Sequence, residues 1–286
     1  GALYPGIFHT KSLTPGKIKI DRHQKIIDNC SKITSIDEES GITSYGYDRM
    51  AKVRYSERSI EQSSATFGWG SEDTDTLKRI YPKNLHKIYK TGSPRVDLWK
   101  PFFSDYWINP KGMPSKPFLL ISSNINSLLI GSVHERFKSL RSAGYFNRDP
   151  KAFKIFLHKQ AEGYKKLYEF IDAIQYLAKN TNEYDIVLRP HPSENIKAWE
   201  TYLEGIPNVH IMEKEAITGW IKNAFAVMHS GCTSGIEATI SEKPVLTYIP
   251  FEMEYAEEVA NTVGFKINSK EELLKKTNEL FESRTL

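Results

Sequence analysis

From residue 117 onward, short apolar runs the length of single strands alternate with stretches of helical spacing, and few folds accommodate that order. The runs 118–122, 185–188, 209–212, 225–229 and 244–249 read as strands, and 196–203, 216–223, 233–240 and 270–282 read as helices. A longer helix is opened by Asp149-Pro150, an N-cap followed by a first-turn proline. It carries apolar residues at Phe153, Phe156, Leu157, Tyr164, Leu167, Phe170, Ile171, Ile174 and Leu177. Antiparallel neighbours can be joined by a few residues, whereas parallel ones need a crossover long enough to hold a helix. The alternation therefore predicts an α/β fold, with a parallel sheet covered by helices on both faces.

The first part of the chain follows the same logic less cleanly. Residues 1–16, rich in Gly, Pro and aromatics without a period, read as a loop entering from something upstream. Residues 32–37 form a strand that runs into the acids Asp37-Glu38-Glu39, and 65–70 form another. Ser71-Glu72-Asp73 then caps a helix ending at Ile80, and 85–90 is a third strand, turned by Thr91 to Arg95. Pro101, Pro110 and Pro114 punctuate an aperiodic stretch, 98–116, which reads as a linker. A chain of 286 residues exceeds the usual single core, so two domains are expected, over 1–110 and 117–286.

Composition narrows the class of function. With 40% hydrophobic and 26% charged residues, a packed core is expected. The net charge of +4 suits an anionic ligand or an anionic membrane surface but is too small to argue for nucleic acid. Cys30 and Cys232 stand in no metal-binding spacing and read as reduced thiols. No apolar run is long enough to cross a bilayer, and the start lacks a signal-peptide pattern. These features read as a cytoplasmic protein, compatible with a peripheral position at the inner face of the cytoplasmic membrane.

In open parallel sheets ligands sit beyond the carboxyl ends of the strands, so the residues that follow each strand are the candidates. Residues 185–188 lead directly into Arg189-Pro190-His191-Pro192, where two prolines fix the backbone around an imidazole beside a guanidinium. That pairing suits a phosphate or carboxylate; a strand-to-helix turn with a solvated histidine is the plainer alternative. Residues 225–229 lead into Ser230-Gly231-Cys232-Thr233-Ser234-Gly235 and a helix. Small residues, first-turn amides and three hydroxyls make an anion cradle, or else Thr233 or Ser234 is simply an N-cap. Glu237 lies on the helix face that could reach a ribose diol, where it could equally be solvated. In the first domain, mutual repulsion among Asp37, Glu38 and Glu39 would raise the proton affinity of one, making it a candidate base or nucleophile; a solvated loop is the alternative. Asp73-Thr74-Asp75 has the form of a metal-binding acid pair but follows a serine at a helix start, so it reads as capping, and no metal is expected.

Taken in order, the segments "ITSIDEESG", "TGSPRVDL", "LLISSNI", "VLRPHPSEN" and "HSGCTSGIEA" with "KPVLTYIPF" resemble bacterial surface-carbohydrate biosynthesis proteins related to transferases of Kdo, an eight-carbon acidic ketose. The resemblance spans residues 32–251. It implies a GT-B fold, two Rossmann-like domains with parallel sheets facing a cleft, the first incomplete at its start and carrying acceptor and catalytic groups, the second binding the nucleotide sugar. His191 and Pro192 would match the His-Pro element, and Ser230, Thr233 and Ser234 the phosphate loop, while Asp37 and Glu38 would match the catalytic acids. The activity implied is transfer of a Kdo-like sugar from a CMP donor to a glycan or glycolipid acceptor, without a metal or other cofactor. A CDP-glycerol or CDP-polyol phosphotransferase, or a non-catalytic nucleotide-binding domain of a larger assembly, are the alternatives. Fusion to or association with other glycosyltransferase domains is compatible with the absent opening.

Overall fold

The computed structural model describes residues 5–38, 46–125, 132–142, 146, 152–192, 194–212, 215–253 and 259–284. The chain divides into two units, Gly1–Leu98 and Trp99–Leu286, each built on its own parallel sheet.

The first unit contains β1 (Ile7–Thr10), α1 (Lys17–Asp28), β2 (Lys32–Ile36), α2 (Tyr47–Arg54), α3 (Glu57–Glu61), β3 (Ala65–Gly68), α4 (Ser71–Ile80), β4 (Ile88–Lys90) and α5 (Pro94–Asp97). Its strands lie in chain order, β1-β2-β3-β4, all parallel. Ile33 and Ile88 point from one face of the sheet into a core with Leu13, Ala51, Tyr55, Ile60, Leu77 and Tyr81. Ile7 and Tyr89 are exposed, and Phe67 stands between His9 and Tyr89 at ring distances of 6.4 and 6.3 Å.

The second unit contains β5 (Phe118–Ser122), α6 (Val133–Ser142), α7 (Ala152–Asn180), β6 (Asp185–Arg189), α8 (Ile196–Tyr202), β7 (Val209–Ile211), α9 (Ile217–Asn223), β8 (Ala226–His229), α10 (Ser234–Ile240), β9 (Val245–Tyr248), β10 (Phe265–Ile267) and α11 (Lys270–Ser283). The order is β10-β9-β8-β5-β6-β7, so the chain starts in the middle, builds one side and returns to build the other. Alternate residues of one strand feed different cores. Leu119 and Ile121 pack with Phe170, Ile174, Leu177 and Trp199, while Phe118 and Leu120 pack with Trp220, Ile221 and Ala238. The α/β class, the parallel sheets and the double coverage of this sheet follow the expectation from the alternation.

Several local expectations are corrected. Residues 7–10 are not loop but a strand paired with β2; four residues broken by His9 give too short an apolar run to register. Residues 82–87 form a 3-10 helix started by Pro82, leaving only Ile88–Lys90 as strand. The stretch after β5 holds α6, which buries none of its residues and so shows no core stripe in sequence. The three-residue strand β10 was not foreseen. Asp149-Pro150 lies outside the described residues.

Candidate active site

The strand order reverses at β5, which has β6 on one side and β8 on the other. Register places Ser122 level with both Arg189 and His229, so the three central strands end side by side. Reversal of winding opens a crevice at this point, where ligands of parallel sheets are bound. The two segments singled out by sequence meet here, and the residues after β5 lie between them.

One network fixes the β6 side. Glu194, almost fully buried, accepts hydrogen bonds from Ser123 Oγ (2.6 Å), Ile125 N (2.7 Å) and Trp199 Nε1 (2.9 Å). Three donors satisfy a buried carboxylate that would otherwise be costly. His191 N donates to Ser123 Oγ (3.3 Å), and Glu194 N donates back to His191 O (2.8 Å), closing a tight turn that presents the imidazole. Burial and, secondarily, Arg189 act to lower the His191 pKa against the opposing pull of Glu194, so the ring is neutral at pH 7. Arg189 donates from Nη2 to the Glu215 carbonyl (3.1 Å), while its buried Nε has no partner among the described residues.

The β8 side rests on a buried lysine. Lys166 of α7 donates to the carbonyls of Ser230 (2.7 Å) and Asn124 (3.0 Å), and Asn124 Nδ2 donates to Gly231 O (2.8 Å). Gly231 has φ +69°, a conformation that favours glycine, and its amide donates to Asn261 Oδ1 (2.6 Å). Its carbonyl thereby turns towards β5 and the chain turns outward at Cys232, whose sulfur lies 3.3 Å from Ser122 Oγ. Beneath the loop, Thr247 Oγ1 donates to Val263 O (2.6 Å) and so accepts from His229 Nε2 at 3.0 Å. His229 is therefore the neutral Nε2–H tautomer. Burial and the nearby Lys166 push its pKa down to about 3.

Exposure sorts the candidates. Pro192 and Thr233 are exposed and His191 is half-buried, whereas Ser230, Gly231, Ser234 and Glu237 are buried. Thr233 has helical backbone angles and makes no side-chain cap, so the simple N-cap alternative does not apply to it. The hydroxyls of Ser230 and Ser234 lie buried without partners among the described residues. Glu237 accepts a hydrogen bond from the Thr218 hydroxyl. Lys166, Ser123, Asn124 and Glu194 were not singled out from sequence. A lysine among Gly163, Leu167 and Phe170 on the buried face of a helix was the available signal for the first.

In the first unit, Asp37 is fully buried at the end of β2, and Arg54 holds both of its oxygens, Nε to Oδ2 at 2.8 Å and Nη2 to Oδ1 at 2.9 Å. Glu38 follows, half-buried, with its amide donating to Lys11 O (3.3 Å); Glu39 lies outside the described residues. Asp73 caps α4 as expected, accepting from the amides of Trp69, Gly70 and Thr74 at 2.8–2.9 Å. Among the described residues no three metal-ligating side chains gather, and no helix is long and apolar enough to cross a membrane. A hollow of about 550 Å³, lined by Lys116, Gln175, Asp185 and Asn208, lies at the opposite, amino end of β5 and β6.

No protein-family model and no curated protein matches the sequence. Solved structures do match in fold. UDP-GlcNAc 2-epimerase from Neisseria meningitidis, bound to UDP-GlcNAc, is 14% identical over 96% of this chain and 67% of its own, with a TM-score of 0.53. UDP-GlcNAc 2-epimerase from Methanocaldococcus jannaschii is 14% identical over 93% of this chain and 76% of its own, TM-score 0.52. MnaA from S. aureus, in complex with UDP, is 14% identical over 96% of this chain and 65% of its own, TM-score 0.51, so the chain spans less than two thirds of that protein. The fold is of the GT-B type. These neighbours overturn the expected function: they are UDP-sugar epimerases, not Kdo transferases, and the reading of a CMP-Kdo transferase is corrected.

Proposed function

We propose that this chain binds a UDP-linked amino sugar at the carboxyl ends of β5, β6 and β8 and acts on the sugar, as an enzyme of the UDP-GlcNAc 2-epimerase type. The observation that carries the reading is the meeting of Arg189, His191 and the Thr233 segment at the point where strand order reverses, in a chain whose fold follows those epimerases over 93–96% of its length. Arg189 and the exposed Thr233 hydroxyl would meet the diphosphate, and the neutral His191 would donate or accept a hydrogen bond without adding charge. Buried Ser230, Ser234 and Glu237 would hold the loop's shape or come into play as it opens around the ligand. In the first unit, proton transfer is assigned to Glu38 in preference to Asp37, because Arg54 already occupies both oxygens of Asp37. The diphosphate charge is met by protein groups in this reading, with no requirement for a metal.

The test is thermal protection by UDP, UDP-GlcNAc and CMP, followed by incubation with UDP-GlcNAc and NMR observation of its C2 epimer. A ligand at 100 times its Kd adds about 2.7 kcal/mol, a shift of several degrees. UDP and UDP-GlcNAc should protect, EDTA should leave the shift intact, and Arg189→Ala should remove most of it. Protection by CMP equal to or above that by UDP would sink the assignment.

A further inference from the structure

The helical pair that follows β5 has a surface unlike the rest of the chain. Residues 132–142 and 152–168 contain seven lysines and arginines and two glutamates, an excess of five where the whole chain carries +4. Only Lys166 among the seven is buried. Along α7 the exposed apolar and aromatic residues Phe153, Leu157, Tyr164 and Tyr168 fall four, seven and four positions apart, which sets them on one narrow stripe of the helix. Tyr164 is 54% and Tyr168 65% exposed. A separate stripe, Phe156, Gly163, Leu167 and Phe170, about 100° further round the helix, is buried in the unit, so packing against its own sheet already fixes the helix. Arg136, Lys138 and Arg141 are exposed on α6, and Lys154 and Lys165 on α7. Phe137 of α6 stacks with Phe146 and meets Phe153 and Phe156, at ring distances of 5.0–6.0 Å, fastening α6 onto the start of α7. Lys165 lies 4.1 Å over the ring of Phe251, just beyond the carboxyl end of β9, so the surface runs on to the end of the sheet where the candidate site lies.

We propose that the exposed side of α6 and of the first half of α7 docks the protein on an anionic lipid bilayer. A row of aromatic and aliphatic side chains flanked by cations is the chemistry of an interfacial helix, whose apolar stripe enters the headgroup region while the basic groups meet lipid phosphates. The charge decides for lipid over a neutral apolar partner: a hydrophobic protein interface is depleted in lysine, and this surface is enriched in it. Docking there brings the carboxyl ends of the second sheet towards the membrane surface.

The whole chain is sedimented with vesicles of phosphatidylcholine alone and with vesicles containing about one third phosphatidylglycerol. Binding should be confined to the anionic vesicles and should fall as salt is raised to about 0.5 M, where exposed charges are screened. Each cation at such a surface is worth about five-fold in affinity, so the triple variant Arg136→Gln, Lys138→Gln, Arg141→Gln should bind about 100-fold more weakly. Tyr164→Ser with Tyr168→Ser removes apolar contact and no charge, and should also weaken binding at least ten-fold. Unchanged melting curves confirm that the variants are folded, and Lys222→Gln with Lys266→Gln controls for charge elsewhere. Equal binding to both vesicle types, no binding by the parent, parent-like binding by the triple variant, or binding to duplex RNA in place of vesicles would each overturn the proposal. UDP protection is measured in the same preparations and stands or falls separately.

Discussion

In the first unit the strands stand in the order in which the chain makes them, β1-β2-β3-β4, whereas in the second the order turns back at β5. Right-handed crossovers between successive neighbours all fall on one side of a sheet, and a reversal sends the later ones to the other side. The first sheet accordingly has a single core, with Ile7 and Tyr89 exposed and Phe67 half-buried on its far face. The second has a core on each face, with Leu119 and Leu120 serving one each. The reversal also brings Arg189, His191 and the 230–234 segment together at the point where parallel sheets bind their ligands. Winding direction thus decides at once how much apolar surface a unit buries and whether it gains a ligand crevice.

The sharpest way to break this comparison is to remove one large side chain from each core of the second unit. Trp199→Ala and Trp220→Ala, each taking out a fully buried indole, should cost about 3–5 kcal/mol apiece. In hydrogen exchange the loss of protection should be confined to the second unit. Equal loss in both units would mean that they fold as one.

A smaller effect is expected at the end of β2. Asp37→Asn takes the negative charge from a fully buried partner of Arg54 and should destabilise the first unit by about 3 kcal/mol in a denaturant titration, leaving UDP protection unchanged. Glu38→Gln should change stability by less than about 0.5 kcal/mol, so loss of turnover in that variant reports on chemistry rather than folding. Full turnover in Glu38→Gln would remove it from the reaction.

The smallest effect belongs to the far face of the first sheet. Phe67→Ala has little core to empty there and should cost under about 1 kcal/mol, measured by the same titration. A loss comparable to that at Trp199 or Trp220 would show that this face is covered after all.

The sequence was most legible where one residue pattern served one purpose. Residues 118–122 are buried on both faces of a parallel sheet, and an unbroken apolar run announces that. Asp73 was readable because a capping acid acts through its own local backbone. What escaped depends on partners distant in the chain. Glu194 appears in sequence as a polar residue after a proline turn, and only the fold brings Ser123, Ile125 and Trp199 to its carboxylate. The acidic run 37–39 suggested mutual repulsion, but Arg54, 17 residues on, neutralises Asp37 and changes its meaning. Helix α6 hid for a different reason. It buries nothing, so the periodicity that betrays a core-facing helix was never written into it.

Gly235 lies so close above the imidazole of His229 that a β-carbon added at 235 would collide with the ring. Position 235 therefore cannot gain a side chain while histidine stands at 229. A descendant of this chain that acquired alanine at 235 would have to exchange His229 for something smaller, and would then lose the hydrogen bond to Thr247. In any set of relatives, a side chain at 235 should occur only beside a residue smaller than histidine at 229, and that covariation would mark kinship more reliably than the small residues of the loop, which many anion-binding turns acquire independently.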